Sequence, residues 1–344
     1  MRRTFLRMMA LGVVAAAGMV IGCEKPASEG GAAAKPAPAG GEPKSAAKSE
    51  YVFGVIAKSQ ANPVFQAART GAEDAAKALS EKHGVRVKID WRTPNTEDAQ
   101  QQAQFVEQLV SLGVDGITVS CSDAAVLTGA IDDAVSKGVA VATFDSDAPA
   151  SKRFAYYGIN DEEAGRAVAR ELVKFMGETG VVAVLAGNQS APNLQTRVKG
   201  VREEIAKHPG ITIKDVYYHP ETAPDAAAKV KDVQVSNPDI TGWAMVGGWP
   251  LFTENALDGV ADKAKVVSVD HLPEQLNYIR AGEVQALVGQ DCYGWGYRTV
   301  EMLFEKVHEN KDPQQVVNNF DLTVVTSANV DEYAEIWNKW LGKK

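Results

Sequence analysis

The stretch Lys58-Ser59-Gln60-Ala61-Asn62-Pro63 is the first in the chain with side chains able to do chemistry. It follows an apolar run over 51–57 and precedes a long Ala-rich helical pattern that starts at Pro63. Lys58 brings a cation, Asn62 an amide that both donates and accepts, and Phe65, one turn on, an aromatic face. The loop has neither G-x-G-x-x-G nor G-x-x-x-x-G-K, the glycine patterns that let a backbone cradle phosphate. The set therefore suits a neutral, hydroxyl-rich ligand better than a nucleotide. Further on, Asp145 and Asp270 each end an apolar run. A carboxylate pair can cleave a glycosidic bond, but it can also hold sugar hydroxyls without cleaving them.

Other chemistries find little support. The five histidines (His83, His208, His219, His271, His308) lack ligand spacing, so no metal is expected. There is no nucleophile elbow, Ser-His-Asp arrangement or dinucleotide fingerprint, so neither an enzyme nor a cofactor is expected. Beyond residue 23 the only cysteines are Cys121 and Cys292, which the sequence leaves open as a disulfide or two buried thiols. The formal net charge is −8, with no basic run in the body, which argues against nucleic acid as a partner.

Side chains this scattered need a scaffold, and the pattern supplies one. Strands are expected over 51–57, 85–91, 114–120 and 139–144, with helices from Pro63, over 96–112 and over 123–137. N-caps are expected at Asn95-Thr96 and Ser122-Asp123. The strands are apolar throughout instead of alternating, as parallel strands covered on both faces are. After a loop at 145–153, where a first crossing between lobes is expected, the series restarts. Strands are read at 154–158, 181–186, 211–218, 242–246 and 265–269, and helices at 161–176, 193–207, 223–235, 251–257 and 274–281. Residues 284–289 and 320–325 are read as return crossings, with helices at 293–307 and 330–340. Strand–helix alternation implies right-handed crossovers and an α/β fold of two Rossmann-like three-layer lobes.

Residues 1–50 read differently. Arg2, Arg3 and Arg7 precede an apolar stretch over 8–21 that is too short to span a bilayer. It ends Val20-Ile21-Gly22-Cys23, which resembles a bacterial lipoprotein signal: 1–22 as signal peptide and Cys23 as the lipidated residue. The arginine pair also resembles a twin-arginine export motif. Residues 24–49 contain no Val, Ile, Leu or aromatic residue and cannot bury enough apolar surface to order themselves. With Cys23 they make a tether over 23–49, whose coil reach is roughly 25–30 Å. The expected location is periplasmic, anchored to a membrane by lipid.

From 51 to 325 the chain resembles the periplasmic sugar-binding proteins of ABC importers, type I, of the ribose-binding kind. Six signposts carry the resemblance: the Lys58…Phe65 loop, Thr143-Phe144-Asp145-Ser146-Asp147, Tyr157-Gly158…Ala164-Gly165-Arg166, Arg197-Val198-Lys199-Gly200, Val269-Asp270 and Gly289-Gln290-Asp291. The resemblance implies two lobes, 50–159 plus 291–321 and 160–290 plus 322–344, joined by three hinge crossings and closing on a sugar. It places Asn62, Asp145, Arg197, Asp270 and Gln290 among the ligand-binding polar side chains, with Phe65 as a stacking ring.

The chain also departs from that pattern. Lys58 replaces a serine, Ser146 an arginine, and Val246-Gly247-Gly248-Trp249 lacks an expected asparagine, so Trp249 is a candidate stacking face. Ribose itself is therefore not implied. The implied function is a monomeric substrate-binding lipoprotein that captures a monosaccharide or polyol and passes it to a membrane permease. The alternative is a sensor presenting its sugar to a chemoreceptor or membrane kinase.

Overall fold

The computed structural model describes residues 48–340. The signal, Cys23 and nearly all of the tether lie outside the described residues. The chain begins with β1 (Glu50–Ile56), α1 (Val64–His83), β2 (Arg86–Trp91), α2 (Ala99–Ser111), β3 (Gly116–Val119), α3 (Ala124–Ser136), β4 (Ala140–Phe144) and β5 (Ala155–Gly158). It continues with α4 (Asp161–Met176), β6 (Gly180–Ala186), α5 (Pro192–Ile205), β7 (Ile211–Tyr218), α6 (Ala223–Ser236), β8 (Gly242–Met245), β9 (Lys265–Val269), α7 (Pro273–Arg280) and β10 (Ala286–Gly289). Last come α8 (Cys292–Glu309), β11 (Val317–Asn319), β12 (Thr323–Val325) and α9 (Val330–Trp340).

Two six-stranded sheets result, ordered β11-β5-β4-β3-β1-β2 and β12-β10-β9-β8-β6-β7. The first is parallel throughout; in the second only β12, which pairs antiparallel with β10, breaks the rule. Strands β3, β8 and β10 are buried along their whole length, which explains why they read as unbroken apolar runs. Both sheets reverse their order beside the first strand of each half, β1 or β6. In open α/β sheets, ligands bind at such a switch point, in the crevice outside the carboxyl ends of the strands.

Several expectations need correction. The loop at 145–153 does not cross between sheets: the chain returns as β5 and adds to the first sheet. Residues 284–289 are not a crossing either, because β10 sits inside the second sheet. The expected helix at 251–257 is a single 3-10 turn, Trp249–Phe252, followed by irregular turns. Helix α2 is capped by Asp98, which accepts from the Gln101 N–H, and not by Asn95 or Thr96. At α3 the cap is Asp123, which accepts from the Ala125 and Val126 N–H groups.

Two helix crossings are unusually close. A Cβ on Gly165 of α4 would overlap the Arg197 carbonyl oxygen of α5, and one on Gly200 would overlap the Glu162 carbonyl. The α1–α8 pair repeats the device with Gly71 and Gly296, against Tyr293 and Ala68. Bare glycine lets the backbones touch, and at α4–α5 that contact sets where Arg197 sits.

Candidate functional site

Asp145 and Asp270 stand one residue past β4 and β9, and both hold a left-handed backbone, φ 55° and 72°. An L-residue with a Cβ rarely takes that conformation, and where it does the strain is commonly tied to a site. Asp145 accepts from the Ser120 hydroxyl (2.7 Å) and, across from the second sheet, from the Asn193 amide at the start of α5 (3.2 Å). Asp270 accepts from the Gln290 amide (2.6 Å) and the Gly248 N–H (3.3 Å).

Arg197 joins the two halves. Its Nε donates to Asp161 (2.8 Å), Nη1 to the Val246 carbonyl (3.1 Å) and Nη2 to the Gln290 carbonyl oxygen (2.9 Å). Nη2 also lies 3.9 Å from the Asp145 carboxylate. Arg197 is 2% exposed, so its charge must be met by protein groups or a ligand. Burial pushes Asp161 up to about 7, although the adjacent Arg197 opposes this. Asp270 is raised as well, first by burial, with Arg197 and Gln290 holding it back.

Lys58 lies close by, buried, with its Nζ 3.7 Å from both Glu97 and Glu221. Glu97 follows β2 of the first sheet and Glu221 follows β7 of the second, so the cation bridges loops from both. Burial works against the ammonium, but the two carboxylates more than reverse that and hold its pKa above the usual lysine value. Asn188 reinforces the bridge: its side chain donates to Glu97 (3.2 Å) and its N–H to Glu221 (2.9 Å). Burial pushes Glu221 up to about 7, against the pull of Lys58. Glu97 is held below its ordinary value, because Lys58 and the hydrogen bonds it receives outweigh burial.

Of the other expected residues, Asn62 is buried and accepts from the Val64 N–H (3.3 Å), bracing the turn into α1. Phe65 packs on Trp295 (ring centroids 6.0 Å), which in turn meets Phe144. Trp249 is buried with its ring edge-on to His219 (4.9 Å). The structure thus brings Asp145, Arg197, Asp270 and Gln290 into one bonded cluster, with Lys58 beside it. No bond ties Asn62, Phe65 or Trp249 into that cluster. Sequence reasoning missed Asn193, Asp161, Glu97, Asn188 and Glu221. Only their positions at helix starts and after strands marked them, and other polar residues share such positions.

Cys121 and Cys292 are free and buried, and burial raises both thiols, so neither offers a thiolate. Among the described residues no His, Cys, Asp or Glu group is placed to hold a metal ion. What remains is a polar, charge-balanced cluster reached from two sheets, suited to holding a guest with many hydroxyls.

Residues 53–311 match the periplasmic binding protein domain, and the chain belongs to that family. It is 28% identical over 282 residues to the D-allose-binding periplasmic protein of Escherichia coli, an alignment covering 77% of this chain and 86% of that one. Against the ribose import binding protein of Bacillus subtilis it is 28% identical over 153 residues, 44% of this chain and 48% of the relative. The chain therefore spans about half the length of that relative. Among solved structures, an ABC transporter solute-binding protein of Burkholderia graminis in complex with D-arabinose superposes with a TM-score of 0.76 at 27% identity. That superposition covers 84% of this chain and 99% of the other.

Proposed function

We propose that this protein is the substrate-binding component of an ABC importer, capturing a monosaccharide or polyol between its lobes and delivering it to a membrane permease. The observation that carries the reading is the bonded series Asp145–Asn193 and Arg197–Gln290–Asp270, assembled from the ends of strands of both sheets and from helix α5. Carboxylates accept from sugar hydroxyls, while the Arg197 guanidinium and the amides of Asn193 and Gln290 donate to sugar oxygens. A ligand touching both halves favours the closed state by the free energy of those added contacts. Segments 50–159 plus 291–321 move as one body in this reading, and 160–290 plus 322–344 as the other.

The allose-binding relative and the arabinose-bound neighbour support an aldose over other solutes. Lipidation at Cys23 would hold the body near its permease. The experiment is a thermal-shift screen of the body across pentoses, hexoses, deoxysugars and polyols, since a ligand that binds only the folded form raises Tm. A rise with one sugar group and no chemical turnover supports the reading; no shift with any sugar counts against it.

A further inference from the structure

Lys58 stands between two carboxylates that come from opposite halves of the cleft. Glu97, after β2, and Glu221, after β7, each present an oxygen 3.7 Å from its Nζ. That separation is longer than a hydrogen bond, so the pairing is one of charge. The three side chains, Lys58, Glu97 and Glu221, are 4%, 12% and 7% exposed, which leaves little water to screen them. Both ends of the bridge are fixed. Ahead of Lys58, the Ala57 N–H donates to the Thr93 hydroxyl (3.1 Å) and the Gln102 amide donates to the Ala57 carbonyl (2.9 Å). Glu221 accepts from the Asn188 N–H (2.9 Å) and lies over Gly187, where a Cβ would come within 2.6 Å of it.

We propose that Lys58 is a positioning residue that sets sugar affinity without touching the sugar: as counter-ion to Glu97 and Glu221 it permits the two halves of the cleft to close. The inference rests on the sugar-binding reading above. Each carboxylate is near the same nitrogen, so closure makes the two acids close neighbours in a space short of water. Like charges repel there, and each acid also gives up hydration. The ammonium between them offsets both costs. When the halves part, all three groups regain water and the same pairing is worth little. Its stabilisation therefore belongs to the closed state, and a sugar that binds this state gains from the fraction of protein already closed. The other charged groups that act on Lys58, Asp145 and Arg197, oppose each other in sign. Burial lowers the nearby His219 to about 4, so it adds no charge at neutral pH.

The test pairs small-angle X-ray scattering with calorimetric titration at pH 8, where Glu221, raised to about 7, is ionised. The panel is allose, ribose, arabinose, glucose and galactose. Without sugar, Lys58→Met should have a larger radius of gyration than wild type, and saturating sugar should bring both to the same value. Its affinity should fall at least about tenfold, by the same factor within about twofold for every sugar that binds. Lys58→Gln, polar but uncharged, should behave alike and guards against a folding defect of the methionine variant. Adding Glu221→Gln to Lys58→Met removes the repulsion across the cleft and should recover most of the lost affinity and compactness. A loss that differs from sugar to sugar, with free dimensions unchanged, overturns the proposal and makes Lys58 a sugar contact. Unchanged affinity and dimensions, or no recovery in the double variant, overturn it as well. Failure of every sugar to bind the wild type overturns the sugar reading, while the scattering of the free variants still decides the role of Lys58 in closure.

Discussion

Asp145 and Asp270 adopt the same left-handed backbone, φ 55° and 72°, each directly after the third strand from the edge that carries β11 or β12. Two halves of one chain thus present a carboxylate at matching places, one toward Ser120 and Asn193, the other toward Gln290 and Gly248. The backbone and the carboxylate can be separated by substitution. Asparagine tolerates the left-handed region, whereas a left-handed alanine costs about 1–2 kcal/mol. We expect Asp145→Asn and Asp270→Asn to melt within a few degrees of wild type but to bind sugar at least tenfold more weakly. The alanine variants should lose the same affinity and melt lower still. Wild-type affinity in both asparagine variants would remove the carboxylates from the site.

The α4–α5 crossing offers a second test. Gly165→Ala places a methyl group against the Arg197 carbonyl, so the helices must part and Arg197 must move. Helix propensity would favour alanine by about 1 kcal/mol, but backbone overlap outweighs it and Tm should fall. Gly71→Ala does the same at α1–α8, against Tyr293. Both variants should be destabilised, yet only Gly165→Ala should weaken ligand binding more than fivefold. Equal binding in the two would mean that the crossing does not position Arg197.

Much of this architecture was legible because its causes are local. Buried parallel strands must be apolar on both faces, and Ala-rich periodicity between them admits helices only, so the alternation and its α/β class could be read directly. Of the three crossings expected, the one at 320–325 falls where the chain passes from β11 to β12, whereas those at 145–153 and 284–289 do not cross, since β5 and β10 look like any other buried strand and only pairing tells which sheet takes them. Asp145, Arg197, Asp270 and Gln290 were accessible through their resemblance to a family pattern. Glu97, Glu221 and Asn188 were not, because their roles arise from a meeting across the cleft with Lys58 that no spacing along the chain encodes.

A pH dependence follows from Glu221 and Asp161, both raised to about 7. Lys58 and Glu97 face Glu221, and Arg197, Asp145 and Lys58 act on Asp161. The native state holds these protons more tightly than the unfolded chain, whose carboxylates titrate near their ordinary values of 4.5 and 3.8. Their contribution to stability is therefore complete below those values and is lost as pH rises through about 7. Tm should fall by a few degrees between pH 6 and pH 8, and Glu221→Gln should flatten part of that slope. A slope unchanged by Glu221→Gln would show that this group does not titrate there.

The thiols give a fourth check. Cys121 and Cys292 are buried and free. A body beginning after Cys23 should react negligibly with a thiol reagent while folded and expose both thiols in denaturant. No reaction in denaturant without reductant would mean that the two are bridged after all.

The most direct measurement is a calorimetric titration of the body with D-allose and D-arabinose, repeated on Asp145→Asn and Asp270→Asn. The account predicts saturable binding of one sugar per chain to at least one of them, weakened at least tenfold by either substitution, one from each half of the cleft. Loss in one variant with wild-type affinity in the other, or no binding to the native protein, would contradict it.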